Sequence, residues 1–344
     1  MKALICDVKG NLSIEEVPMP KYNSKQALVK IVACGICGTD VKLIHANFNG
    51  ITEDMYPLML GHEGIGEVVK IGDEVKGLNI GDKVIIPFID HSPKDFNGYG
   101  SAWGAFSEYA IVNDALAYPN GEAPHLALAQ NIIPNDIDPI DAVILVTFRE
   151  VLSAIYFFGI KPQDNAIAIF GCGPVGLTFI KFLSIIGVKN IIAIDRNDHK
   201  LKSAKEHGAT MCLHSENDDI AKSVKSVFPN GINYVIDAIG LQSVANTAME
   251  ILEDRGKVLC YGVLGGDKLT IDFSKMSYNW SFVSQQYPRK DEEAAVHDEI
   301  IGYIREGKLV MKDFISDYFK FEDSVQAFDK YLNKQVAKKG IIVY

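Results

Sequence analysis

The sequence predicts an α/β protein in two parts, a β-rich barrel or sandwich followed by a doubly wound parallel sheet. Three observations carry this. Short apolar runs separated by turn signals fill about the first 145 residues. Near residue 147 the apolar spacing changes to that of a helix. Beyond it, apolar runs alternate with amphipathic segments in a βαβ rhythm, and the first run leads into a glycine-rich turn.

In the first part, strands are expected over Ala27–Val32, Gly66–Lys70, Lys83–Pro87 and Ser107–Val112. Turns are marked by Ile71-Gly72-Asp73, Ile80-Gly81-Asp82 and Asn97-Gly98. Phe148–Phe158 has a broad apolar face and reads as a helix. The second part then runs strand Ala166–Phe170, helix Pro174–Ile186 with proline in its first turn, strand Ile191–Ile194, and helix Asp198–His207 stopped by Gly208. Strands Thr210–Leu213, Tyr234–Ile236 and Val258–Tyr261 follow, with helical segments near 217–227 and 243–253 between them. These strand runs lack polar alternation, as parallel strands buried on both faces do. The tail has helix signals at 294–306 and 322–332 and a last strand near Gly340–Val343. It is too short to be a domain and is expected to pack on the first part.

Composition agrees with a folded protein. Of 344 residues, 48% are apolar and 23% charged, the profile of a globular chain. At roughly 100–200 residues per domain, two domains are expected. The net charge of −10 argues against nucleic-acid or anionic-membrane partners, which need clustered Lys and Arg. It does not argue against an anionic small ligand, which backbone groups can hold. No stretch approaches the ~18 apolar residues of a membrane span. Met1–Cys6 lacks a signal-peptide core, and the six widely spaced cysteines do not form a disulfide framework. A reducing, cytoplasmic setting is the expectation.

Gly171-Cys172-Gly173-Pro174-Val175-Gly176 is a GxGxxG. Two glycines can mark a bare turn, but this one follows a strand run and opens a helix. Asp195 ends the next strand run, 24 residues after Gly171, near the offset of about 20 seen in dinucleotide sites. Gly171 permits the tight turn, Gly173 the approach of a pyrophosphate, and Gly176 close helix–strand packing. The helix N-terminus, with Pro174 and Val175 in its first turn, offers N–H groups and partial positive charge to phosphates. Asp195 suits an adenosine ribose and repels a 2′-phosphate, so NAD is favoured. Arg196 keeps NADP open, since it could accept that phosphate.

Cys34-Gly35-Ile36-Cys37 is a lone CxxC without the second ligand pair of a structural zinc site. Cys34 reads as a buried thiol. Cys37 is followed by Gly38-Thr39-Asp40, and Gly61-His62-Glu63 lies 25 residues on. Cysteine, histidine and carboxylate suit Zn²⁺, and three ligands with an open position form the catalytic arrangement. By spacing alone, His62 could equally be an ordinary buried histidine.

Cys37-Gly38-Thr39-Asp40, Gly61-His62-Glu63-Gly64-Ile65-Gly66, Gly81-Asp82-Lys83-Val84 and Gly171–Gly176 occur in this order. Together they resemble the zinc-dependent medium-chain dehydrogenase/reductase family, nearest its sorbitol (polyol), threonine and glucose dehydrogenase branches. The resemblance spans essentially the whole chain. It implies a GroES-like β-barrel catalytic domain over 1–146 and 292–344, and a Rossmann NAD-binding domain over 147–291. It implies Cys37 and His62 as zinc ligands, Glu63 as a direct or exchanging ligand, Thr39 as proton relay and Asp40 as a carboxylate that orients ligands. By the same analogy the chain is a dimer or tetramer, and the edge strands near 258–261 and 280–283 could pair between copies.

Two features depart from the family. Phe88–Ala105 holds no cysteine, so no structural zinc is expected; Asp90, His91 and Asp95 read as loop residues. The position that usually supplies a further ligand is Val146, which cannot bind metal. Glu150, one helical turn on, could supply the carboxylate instead; a surface salt bridge or a contact with substrate hydroxyls are the alternatives. Lys42 stands where some members carry a relay histidine, and His45 is one turn further on. The expected activity is reversible NAD-dependent oxidation of a secondary alcohol, with polyols or sugars favoured by the branch likeness and by Glu150, Glu63, Tyr99, Ser101 and Trp103 as pocket candidates. The alternatives are a zinc-free NAD(P)H enone or quinone reductase and a non-catalytic dinucleotide-binding protein.

Overall fold

In a computed structural model describing residues 1–89, 96–263 and 268–344, the chain divides into two compact units. One comprises Met1–Thr147 with Lys290–Tyr344, the other Phe148–Arg289. Asp90, His91 and Asp95 lie outside the described residues.

The first unit begins with strands β1 (Lys2–Cys6), β2 (Leu12–Glu16) and β3 (Gln26–Ile36), then helix α1 (Gly38–Ile44). Strands β4 (Leu58–Met59), β5 (Glu63–Ile71), β6 (Lys83–Ile85), β7 (Gly100–Ser101), β8 (Tyr109–Asn113) and β9 (Ile132–Ile133) follow. Only β3, β5, β6 and β8 were expected from the sequence. The two-residue strands β4, β7 and β9 are too short to show a period, and β1 and β2 reveal themselves only through their antiparallel pairing.

The second unit starts within α2 (Leu145–Phe158). It continues through β10 (Ile167–Phe170), α3 (Pro174–Ile185), β11 (Ile191–Asp195), α4 (Asp198–Glu206) and β12 (Met211–His214). Next come α5 (Ile220–Val227), β13 (Ile232–Asp237), α6 (Gln242–Ile251), β14 (Leu252–Cys260) and β15 (Trp280–Ser284). The six strands pair in the order β12-β11-β10-β13-β14-β15, all parallel. This is the doubly wound order, with its switch point between β10 and β13. All residues of β10 and β11 are buried, which explains their unbroken apolar sequence.

The chain returns to the first unit with α7 (Lys290–Ala295), α8 (His297–Arg305), β16 (Ile315–Lys320), α9 (Ser324–Leu332) and β17 (Lys339–Val343). Strand β17 lies antiparallel to β3, with Gly340 opposite Ile36 and Ile342 opposite Cys34. The tail thereby completes the seven-stranded sheet that carries Cys37 and Glu63 at its strand ends. Phe321, Ala327, Phe328 and Ile342 of the tail share one apolar core with Ala27, Val29 and Cys34 of the N-terminal part.

Candidate active site

Cys37 ends the turn after β3 and caps α1. Its Sγ accepts the Thr39 N–H at 3.1 Å, and the Asp40 carboxylate accepts the Cys37 N–H at 2.9 Å. The short spacing of Cys37-Gly38-Thr39-Asp40 therefore builds a reciprocal cap. It fixes the thiol and the carboxylate on the same helix start. His62 precedes β5, and its ring nitrogens lie 3.5 and 3.7 Å from Cys37 Sγ. Cys37, Asp40 and His62 each place one ligand atom within 4.8 Å of the others.

This donor set fits a zinc ion. Asp40 is fully buried, and among the described residues its Oδ1 has no hydrogen-bond partner, a costly state unless a cation or an imidazole N–H completes it. Burial pushes the Asp40 carboxyl up to about 7, with the Cys37 N–H bond pulling the other way. Burial also brings His62 down to about 4, so the imidazole is neutral and has a lone pair to donate. It raises the Cys37 thiol well above its usual range; a bound cation reverses this, since coordination deprotonates a thiol.

Glu63, expected as a direct or exchanging ligand, is held by other side chains. The structure groups Asp40, not Glu63, with Cys37 and His62. Lys339 of β17 donates to Glu63 Oε1 at 2.8 Å and Oε2 at 2.6 Å, and Thr147 Oγ1 donates to Oε1 at 3.3 Å. Burial alone would lower the Lys339 ammonium, but the Glu63 carboxylate outweighs it and the net shift is upward. Gly35 makes room for this pair: a Cβ there would come within 2.5 Å of Glu63 Oε2. Sequence reasoning missed Lys339 and Thr147. The one signal for Lys339 was a lysine at the start of a strongly apolar strand.

Thr39 is half-buried in the first turn of α1. Tyr99 is not free for a substrate, because its hydroxyl donates to Glu15 Oε2 at 2.6 Å. Ser101 Oγ is buried, with no partner among the described residues. Trp103 packs its ring against His62 at 5.3 Å between centroids. On α2, Val146 is fully buried and Glu150 is half-buried within the second unit.

In the second unit a cleft of about 680 Å³ is lined by Gly171, Gly173, Asp195, Arg196, Lys200 and Ser215, among others. Gly171 has φ +92°, where glycine alone is unstrained. A Cβ on Gly176 would lie 1.7 Å from Gly171 O, whereas one on Gly173 would meet no protein atom. Gly171 and Gly176 are thus demanded by the turn, and Gly173 leaves open space above the helix start. Helix α3 begins at Pro174 with no side chain capping it, so its first N–H groups are available to a phosphate. Asp195 is buried at the end of β11. One carboxylate oxygen accepts the Cys172 N–H at 2.8 Å and the other the Asn197 N–H at 3.0 Å. Lone pairs remain on both for a ribose hydroxyl. Arg196 is exposed.

Comparison with known proteins supplies the family. The family model "Alcohol dehydrogenase GroES-like domain" matches residues 23–122, and "Zinc-binding dehydrogenase" matches residues 174–289. L-threonine 3-dehydrogenase of Shewanella woodyi is 26% identical over 94% of both chains. The crystal structure of 2R,3R-butanediol dehydrogenase from Bacillus subtilis superposes with a TM-score of 0.81 at 20% identity, covering 100% of this chain and 99% of that one. A zinc-binding dehydrogenase from Sinorhizobium meliloti bound to NADP gives 0.81 at 24% identity with the same coverage. The chain belongs to the zinc-type medium-chain dehydrogenase family. It is an NAD(P)-dependent oxidoreductase.

Proposed function

We propose that this enzyme reversibly oxidises a secondary alcohol, a polyol or a sugar, to the ketone, using one catalytic zinc and NAD. The observation that carries the reading is the group of Cys37, Asp40 and His62, its thiol and carboxylate buried and its imidazole half-buried, with Asp40 Oδ1 unpartnered. Cys37 and His62 would hold the zinc, with Asp40 beside them and Glu63 and Glu150 as further candidate ligands. Bound there, zinc supplies positive charge that lowers the pKa of an alcohol oxygen. The Thr39 hydroxyl would receive the substrate proton, and Asp40 would be the carboxylate that orients the ligands. The α3 N-terminus and Gly173 would hold the pyrophosphate of the dinucleotide, whose nicotinamide would supply the hydride acceptor. NAD is preferred because the Asp195 carboxylate in the cleft repels a 2′-phosphate; Arg196 and Lys200 are the residues through which NADP would enter.

The polyol or sugar assignment rests on the family branch and on the buried, unpartnered Ser101 hydroxyl. Tyr99 and Glu63 do not support it, since each is committed to another side chain. A homo-oligomer is inferred from β15, an edge strand with exposed Phe273 and Tyr278 close to it in sequence. A reducing, cytoplasmic setting goes with six free thiols.

The test is metal analysis combined with NAD and NADP reduction over a panel of polyols, sugars and simple secondary alcohols. Zinc with NAD-dependent turnover supports the reading. Metal-free protein that reduces enones identifies the zinc-free reductase instead, and NADH binding without metal or turnover identifies a non-catalytic binding protein.

A further inference from the structure

Trp103 has a backbone conformation that few bulky residues take. Its φ is +68° and that of Gly104 is +82°. In this left-handed region a Cβ crowds the following carbonyl, and non-glycine residues are uncommon. The conformation is imposed from both sides. The Ala102 N–H donates to Met59 O at 2.8 Å and the Ala105 N–H to Gly61 O at 2.9 Å, while Trp103 O accepts the Ile89 N–H at 2.7 Å. The turn is thus bonded to the segment that runs directly into His62. Strain that the surroundings over-determine in this way marks a residue whose direction matters.

The direction is toward the metal-binding cluster. The indole lies 5.3 Å from the His62 ring, tilted by 50°, and 6.1 Å from the Phe48 ring in an edge-to-face contact at 86°. Trp103, His62 and Phe48 are all half-buried, so none of the three is sealed in the core. An indole beside a ligand histidine is a flat, apolar, electron-rich wall. A cyclic substituent covers such a wall as one rigid plate with its C–H edges toward the π face. An open chain of the same carbon number must freeze several torsions to do so.

We infer that Trp103, braced by Phe48, is the specificity-determining wall of the substrate site and selects secondary alcohols whose hydroxyl sits on or beside a ring over open-chain alcohols. The inference rests on the proposed alcohol oxidation at Cys37 and His62. Within the polyol and sugar class it favours ring forms.

The test compares cyclohexanol with hexan-2-ol, and cyclopentanol with pentan-2-ol, on the zinc-loaded full-length enzyme. Wild type should show higher kcat/KM for the ring in each pair. Trp103→Gly removes the indole at a backbone position glycine favours, and should cut the ring preference about 3–10-fold at unchanged zinc content. Trp103→Phe should restore most of it. A wild type that prefers open chains, or an unchanged ratio in Trp103→Gly, overturns the inference and leaves the alcohol oxidation standing. Binding gives a second readout. The chain has two tryptophans, so in Trp280→Phe the emission comes from Trp103 alone. Cyclohexanol should quench it at lower concentration than hexan-2-ol, and equal or absent responses count against the wall. If no alcohol is oxidised at all, the proposed function fails, and the emission titration by itself decides whether Trp103 binds rings.

Discussion

Lys339 donates to both carboxylate oxygens of Glu63, at 2.8 and 2.6 Å, from 276 residues further along the chain. Both side chains are buried. The last strand is therefore fastened by an ion pair to the strand that follows His62. Removing one partner of such a pair leaves a buried charge uncompensated. Lys339→Ala should cost about 3–5 kcal/mol of stability in urea unfolding. The double variant Glu63→Leu/Lys339→Met should cost less than Lys339→Ala alone. A Lys339→Ala protein as stable as wild type would mean that the pair is not buried as described.

Asp40 sits at the start of α1 with one oxygen on the Cys37 N–H and the other unpartnered. Asp40→Asn keeps an acceptor for the cap but removes the charge. Zinc affinity, measured by competition with a chelator, should fall about 10–100-fold, as for other carboxylates that orient metal ligands. Thermal stability of the metal-free protein should change little. Unaltered zinc affinity would remove Asp40 from the account.

Gly176 has no room for a side chain, since a Cβ would lie 1.7 Å from Gly171 O. Gly176→Ala should push α3 away from the turn and weaken NADH binding by at least about tenfold, equivalent to the ~1.4 kcal/mol that one misplaced phosphate contact is worth. Zinc content, which the proposal ties chiefly to Cys37 and His62 of the other unit, should stay near the wild-type level. Loss of both together would show that the substitution unfolds the whole chain.

Asp195 has two tasks that one substitution separates. It holds the Cys172 and Asn197 N–H groups, and it lines the cleft proposed for the ribose. Asp195→Asn keeps an acceptor and removes the repulsion, so the NAD-over-NADP ratio of kcat/KM should drop toward one. Adding Arg196→Ala should recover part of it by weakening NADP. An unchanged ratio in Asp195→Asn would place cofactor selection elsewhere.

Thr39 donates its backbone N–H to Cys37 Sγ, and its hydroxyl is assigned to the substrate proton. Thr39→Val preserves the shape and the backbone bond. Turnover should fall on the order of 10²-fold, the usual scale of a lost proton-transfer group, with zinc and NADH binding retained. Thr39→Ser should recover much of the rate.

What the sequence revealed and what it hid divide along physical lines. The Gly171–Gly176 turn was legible because local geometry dictates its residues, a glycine at positive φ before a helix start, whereas the Cys37–Asp40 cap was hidden because cysteine is not among the usual capping residues. The parallel strands β10 and β11 were legible because burial on both faces leaves an unbroken apolar run. The partner of Glu63 was hidden because nothing near residue 63 indicates a lysine at 339. The commitment of Tyr99 to Glu15 was hidden for the same reason. Strands β4, β7 and β9 were missed because two residues carry no period. The direction of Trp103 comes from a backbone angle imposed by Met59 and Gly61, which its own identity does not suggest.

The most direct test of the central claim is the zinc content of purified wild-type enzyme beside that of Cys37→Ser, by elemental analysis. The account predicts one zinc per wild-type chain, its loss in Cys37→Ser, and NAD-dependent alcohol oxidation that disappears with it. A wild-type chain that oxidises alcohols without zinc, or a Cys37→Ser chain that keeps its zinc, would contradict the account.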